Sequence, residues 1–212
     1  PLCTTNRINM PHVAEKVLQD GHADMISMAR PFLADPDFVN KAQAGLSDEI
    51  NTCIGCNQAC LDHTFKGITA SCLVNPEACH EDEFVITNAA KPEKIAVVGA
   101  GPAGLAFATT AAARGHNVSL FDQAAEIGGQ FNMAKVIPGK EEFYETIRYY
   151  GTMLKKNGVD VKLNTRVEAA DLAGFDKVIM ATGISPRTPD FPGVDHPKVM
   201  SYIDVLRHKK EV

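Results

Sequence analysis

The sequence predicts an α/β protein, and three observations predict it. Short apolar runs alternate with helix-periodic segments at both ends of the chain, a glycine-rich turn joins one such run to a helix, and a cluster of cysteines divides the two alternating regions. The 212 residues, 45% hydrophobic, suffice for one large or two small domains with a real core. A formal charge of −5 with no basic block argues against a nucleic-acid footprint. No apolar run reaches membrane-spanning length and the first residues lack a secretory pattern, so a cytoplasmic enzyme is the expectation.

Residues 1–47 read as two strand–helix units. Pro1 to Ile8 is strand-like and ends at Asn6-Arg7; Val13, Val17 and Leu18 then recur at helical spacing, with Gly21 as the stop. Met25, Ile26 and Met28 form the next apolar run, ending at Ala29-Arg30. Asp35-Pro36 then places a cap and a first-turn proline before a helix to about Ala44. Parallel strands need helical crossovers and cover on both faces, so two units read as the tail of a (β/α)8 barrel. In such a barrel, ligand sites lie at the C-terminal strand ends, where Arg7 and Arg30 fall; a guanidinium there suits a phosphate or an anionic ring edge, or is simply a solvated loop charge.

Residues 48–92 hold the cysteine cluster and a polar arm, Glu77 to Pro92. Cys53, Cys56, Cys60 and Cys72 follow the pattern C-x2-C-x3-C-x11-C. Three thiols within eight residues suit a cuboidal [4Fe-4S] cluster, with structural zinc and disulfides as the competing readings. Gly55 and the small Ala59 fit a loop whose amides approach the sulfurs. Cys3 and Cys79 fall outside the spacing and are expected to be buried or partly buried free thiols.

Residues 93–212 read as a doubly wound parallel sheet. Ile95 to Val98 is a buried-strand run, an alanine-rich helix ends near Gly115, and Val118 to Phe121 is the next strand. A helix over Glu141 to Lys156 and strands at Val159–Leu163, Thr165–Glu168 and Lys177–Ala181 follow. Gly99-Ala100-Gly101-Pro102-Ala103-Gly104 is G-x-G-x-x-G between strand and helix, and Asp122 ends the following strand. Gly99 serves the tight turn, Gly101 admits a pyrophosphate to the backbone amides, and Gly104 lets helix and strand approach. A dinucleotide site is therefore expected. Glu126-Ile127-Gly128-Gly129-Gln130 and the strand ending Ala181-Thr182-Gly183 favour FAD and resemble the two-dinucleotide-binding flavoproteins.

Thr5-Asn6-Arg7, Met28-Ala29-Arg30-Pro31-Phe32, the Cys53–Cys60 loop and the glycine fingerprint together resemble the bacterial NADPH-dependent 2,4-dienoyl-CoA reductases, of the old yellow enzyme and trimethylamine dehydrogenase group. The resemblance covers essentially the whole chain. It implies an incomplete Rossmann-like FAD-binding domain after the end of an FMN-binding TIM barrel, within a chain roughly three times longer. Arg7, Ala29 and Arg30 would contact FMN, and Cys53, Cys56, Cys60 and Cys72 would hold the 4Fe-4S cluster. Ala103, Asp122, Gln130, Lys140 and Val167 would contact FAD, although on sequence alone Lys140 reads equally as a surface lysine and Val167 as an ordinary strand residue. The implied reaction reduces an acyl-CoA substrate with NADPH, electrons passing from FAD through the cluster to FMN. A related enoate or amine oxidoreductase and a non-catalytic electron-transfer module are the alternatives. The residues that protonate substrate in that family have no counterpart here, so no catalytic acid is assigned and these 212 residues alone are expected to be inactive.

Overall fold

The computed structural model describes residues 1–211 and divides into two compact units. The first comprises Pro1–Asn88 and Glu142–Lys156, the second Ala89–Glu141 and Asn157–Val212. Val212, the end of the C-terminal stretch expected to trail off, lies outside the described residues.

In the first unit, strands β1 (Cys3–Thr4) and β2 (Met25–Ile26) pair in parallel, with helix α1 (Pro11–Gln19) as the crossover. Proline opens α1, where its missing N–H costs nothing, and Gly21, at φ +70°, ends it. The strand expected over Pro1–Ile8 shortens to two residues because Asn6 and Arg7 both enter the left-handed region, which no ladder continues. The helix expected from Asp35-Pro36 to about Ala44 forms as α3 (Phe38–Gln43), two residues late, and an unforeseen short helix, α2 (Arg30–Ala34), precedes it. Asp35 closes α2 rather than opening a helix at Pro36. Its carboxylate, 3% exposed, accepts from the Asp37 and Asn51 amides at 3.0 and 2.8 Å and from Lys41 Nζ at 2.6 Å. It thus ties this corner to the start of the cysteine loop, which continues into α4 (Leu61–Phe65). Met10, Phe38 and Ile50 form the core, with Val13 and Met28 against it.

The second unit carries a four-stranded parallel sheet in the order β5–β4–β3–β6, namely Asp160–Lys162, Asn117–Phe121, Lys94–Val98 and Lys177–Met180. Helix α5 (Pro102–Ala113) follows β3 and buries Leu105, Ala108 and Ala111 beside Ile95, Val97, Val118 and Leu120. The order reverses at β3, so the crevice beyond its C-terminal end is a topological switch point, where open α/β sheets bind ligands. A short helix not foreseen, α6 (Phe131–Ala134), follows the Gly128-Gly129 turn. The strand expected over Thr165–Glu168 does not form. Asn164, at φ +52°, ends the β5 ladder, the Thr165 amide bonds the Asp122 carbonyl at 2.8 Å, and a 3-10 turn at Ala169–Leu172 takes over.

Helix α7 (Phe143–Lys156) follows β4 and precedes β5 in sequence, yet it clusters with the first unit. Arg148 explains how. Its guanidinium donates to the carbonyls of Asp48 and Ile50 and to Thr52 Oγ1, while Nε donates to Glu145 at 2.6 Å. Carbonyls left open around the 3-10 turn at Ser47–Glu49 are thereby satisfied from a helix about 100 residues away. The last helix, α8 (Tyr202–Leu206), is opened by a reciprocal cap between Ser201 and Asp204, whose carboxyl is held well below the carboxylate range by Lys210 and Ser201.

Candidate functional site

Three cavities collect the sequence-expected site residues. The first, about 250 Å³, lies at the C-terminal ends of β1 and β2 and is lined by Thr5–Asn9, Ser27–Pro31, Cys53, Gly55 and Glu142. Arg7, Ala29 and Arg30 therefore share one wall. The left-handed pair Asn6-Arg7 turns the chain sharply there, and a Cβ on Gly55 would meet Arg7 Nη1 at 3.4 Å. Two guanidiniums facing one cavity fit the phosphate and the polar ring edge of FMN. Neither is idle: Arg7 donates to Glu142, and Arg30 Nη1 donates to Asn57 Oδ1 in the cysteine loop.

The second cavity is lined by Cys53, Cys56, Cys60 and Cys72, with apolar cover from Leu33, Ile54 and Val74. All four thiols are free and half-buried. Burial pushes the Cys53 thiol up, opposed by a hydrogen bond from the Gly55 amide and by the Arg30 charge. Burial also pushes Cys72 up, opposed by the Val74 and Asn75 amides. Among the described residues no group of three or more His, Cys, Asp or Glu side chains is drawn together closely enough to hold a metal ion. Four thiols around one apolar cleft, two of them met by N–H donors to sulfur, make a donor set that a thiolate-held metal centre can use. Cys53 and Arg30 line both cavities, so the thiol cleft and the arginine-walled cavity are neighbours.

Several residues that sequence reasoning missed build this loop. Asn9 Nδ2 holds the Cys53 carbonyl at 2.9 Å, Asn75 Nδ2 holds the Leu33 carbonyl at 2.9 Å, and Asn57 adopts φ +62° while accepting from Arg30. The one available signal was the asparagine enrichment itself, since Asn tolerates left-handed backbone and bonds locally. Cys3 and Cys79 are both exposed, not buried as expected: β1 is an edge strand, and the Cys79 backbone is left-handed.

The third cavity, about 320 Å³, opens at the sheet's switch point and is lined by Val98, Gly99, Phe121–Gln123, Thr165–Val167, Met180 and Thr182. Asp122 and Val167 thus share it. The Asp122 carboxylate accepts from the Ala100 amide at 2.6 Å and the Ala124 amide at 2.7 Å, which fixes the glycine loop while each oxygen keeps a lone pair for a ribose hydroxyl. A Cβ on Gly99 would meet the Ala181 carbonyl oxygen at 2.3 Å, and one on Gly104 would meet the Gly99 oxygen at 1.9 Å. Both glycines are demanded by packing. Gly101 has nothing within 4 Å of its missing Cβ, an open cradle at the start of α5 where Ala103 is also exposed. That fits a pyrophosphate. Gly128 donates to the Ala100 carbonyl at 2.7 Å, so the Gly128-Gly129 turn backs the same loop.

Gln130 and Lys140 lie outside the walls of this cavity. Gln130 donates to the Ile184 carbonyl and accepts from Tyr202, both at 3.0 Å, and Lys140 sits on an exposed turn with its amide on the Ile137 carbonyl.

Residues 93–212 match the family described as pyridine nucleotide-disulphide oxidoreductase, and residues 1–49 match the NADH:flavin oxidoreductase / NADH oxidase family. A metal reductase of Desulforamulus reducens is 42% identical across 97% of this chain, which spans 32% of that protein. A cinnamate reductase of Clostridium sporogenes is 35% identical across 100% of this chain and 32% of its own length. The solved 2-naphthoyl-CoA reductase, in complex with 2-naphthoyl-CoA, superposes on 100% of this chain and 33% of its own with a TM-score of 0.94 at 37% identity. The chain therefore spans about a third of the length of the relatives it matches.

Proposed function

Because this chain belongs to the pyridine nucleotide-disulphide oxidoreductase family, we propose that the protein it represents is a flavin and iron-sulfur reductase of conjugated double bonds. The proposed substrate is a 2,4-dienoyl-CoA thioester, reduced with NADPH in the cytoplasm. The observation that carries the reading is the pair of cavities sharing Cys53 and Arg30 as a common wall. The chemistry that the bound groups supply is hydride uptake from NADPH at FAD, single-electron transfer at a [4Fe-4S] cluster and hydride delivery at FMN.

This chain's residues bind and orient those groups. Gly101 and the first turn of α5 receive the FAD pyrophosphate, Asp122 its ribose, and Val167 borders the adenine end. Gln130, next to the Gly128-Gly129 turn that backs the glycine loop, and Lys140 complete the proposed FAD contacts. Cys53, Cys56, Cys60 and Cys72 ligate the cluster, and the Gly55, Val74 and Asn75 amides donate to its cysteine sulfurs. Arg7, Ala29 and Arg30 hold FMN, and Leu33, Ile54 and Val74 keep water from the thiol cleft.

Anaerobic titration of the full-length protein with NADPH, followed by optical and electron spin resonance spectra, tests the relay. Bleaching of both flavins with a reduced-cluster signal is expected; absence of a cluster signal would sink it. Turnover of dienoyl-CoA, cinnamate and secondary amines by the same preparation identifies the substrate class. Preference for a free carboxylate or an amine would replace the thioester reading.

A further inference from the structure

Glu142 is the one acidic side chain in the wall of the Arg7–Arg30 cavity. It stands directly before α7, whose body is anchored to the 3-10 turn at Ser47–Glu49 through Arg148 and through Lys156 on Glu49. Its carboxylate accepts from Arg7 Nη2 and is only 19% exposed, whereas the Arg7 side chain is 57% exposed. The Arg7 guanidinium is thus held by Glu142, on the side where a side chain at Gly55 of the cysteine loop would come against it. Arginine has many rotamers to lose, and its backbone here is left-handed, a conformation costly for a long side chain. Without a fixed partner the guanidinium would sample solvent.

We propose that Glu142 is a positioning residue for flavin binding: it holds the Arg7 guanidinium against the cavity wall, so that the anionic part of FMN meets a pre-aimed cation. The proposal rests on the reading of this cavity as the FMN site. Glu142 also offsets part of the Arg7 charge, which would otherwise stabilise the reduced, anionic form of a flavin bound here. It therefore sets the flavin potential lower than Arg7 alone would.

The test uses the full-length protein. FMN, FAD and iron per chain, the FMN dissociation constant of flavin-stripped protein and the FMN midpoint potential are measured for wild type, Glu142→Ala and Glu142→Gln. Loss of a charge-assisted anchor predicts FMN binding weaker by about tenfold in Glu142→Ala. Glu142→Gln keeps the acceptor, so it recovers most of the affinity but shifts the potential positive; FAD and iron stay at wild-type levels in both. Wild-type FMN affinity in Glu142→Ala overturns the positioning role, and an unshifted potential in Glu142→Gln overturns the charge offset; both leave the site reading intact. If Glu142→Ala does not fold, the FMN affinity of Glu142→Ser decides the positioning role. Wild-type protein that binds no FMN overturns the site reading and this proposal with it.

Discussion

Tyr149 and Tyr150 sit one after the other on α7 with ring centroids 5.3 Å apart, and burial pushes the Tyr149 phenol from 10.0 up to about 12. A pKa raised on folding means that the native state keeps its proton where the unfolded chain has lost it. The contribution of Tyr149 is therefore complete below pH 10 and is lost as pH climbs from there to about 12. Chemical denaturation of the full-length protein between pH 9 and 12 should show falling stability, with a shallower fall in Tyr149→Phe. An equal slope in both would assign the loss elsewhere. Arg7, Arg30, Asp122 and the four spaced cysteines were legible as single residues, because charge, thiol spacing and position after a strand carry their chemistry. Glu142, Asn9 and Asn57 were not. Each acts through one contact with a residue far away in the chain, and nothing local marks an acceptor whose donor is 135 residues distant.

At the scale of elements, the glycine loop separates packing from binding. Gly104→Ala forces a Cβ onto the Gly99 carbonyl oxygen and should cost about 1–3 kcal/mol of stability by overpacking. Gly101→Ala meets no protein atom within 4 Å, so stripped of FAD it should fold and melt like the equally stripped wild type. It should nevertheless bind FAD at least about tenfold more weakly, since the new methyl enters the space a pyrophosphate needs. Melting curves beside FAD titrations check both; comparable FAD affinity in Gly101→Ala would remove the cradle. Strand and helix identities at β3, α5, β4, α7 and β6 were readable from periodicity and glycine punctuation. Helix α2 and the late start of α3 were not, because the Asp35-Pro36 pair reads locally as the start of a helix. Only the buried partners of Asp35 reveal that it ends one. Asn164 likewise stops β5 before the strand expected after it.

For the whole molecule, the two units have separate cores, one on Met10, Phe38 and Ile50 and the other along β3, β4 and α5. Removing a proposed cluster ligand from the first should leave the proposed FAD binding in the second. Cys72→Ser in the full-length protein is expected to abolish the cluster's electron spin resonance signal and most of the bound iron while FAD per chain stays at its wild-type level. Iron unchanged in Cys72→Ser would exclude the fourth thiol as a ligand. The sequence by itself determined the order of the parts and the chemistry each can hold, since strand–helix alternation, thiol spacing and the glycine fingerprint are local patterns with local physical causes. Only the tertiary structure decided that α7 packs with the cysteine-bearing unit and that Cys53 and Arg30 serve two cavities. Those outcomes depend on which distant surfaces bury each other and which open carbonyls a remote guanidinium reaches, and such long-range pairings leave no periodic trace in the sequence.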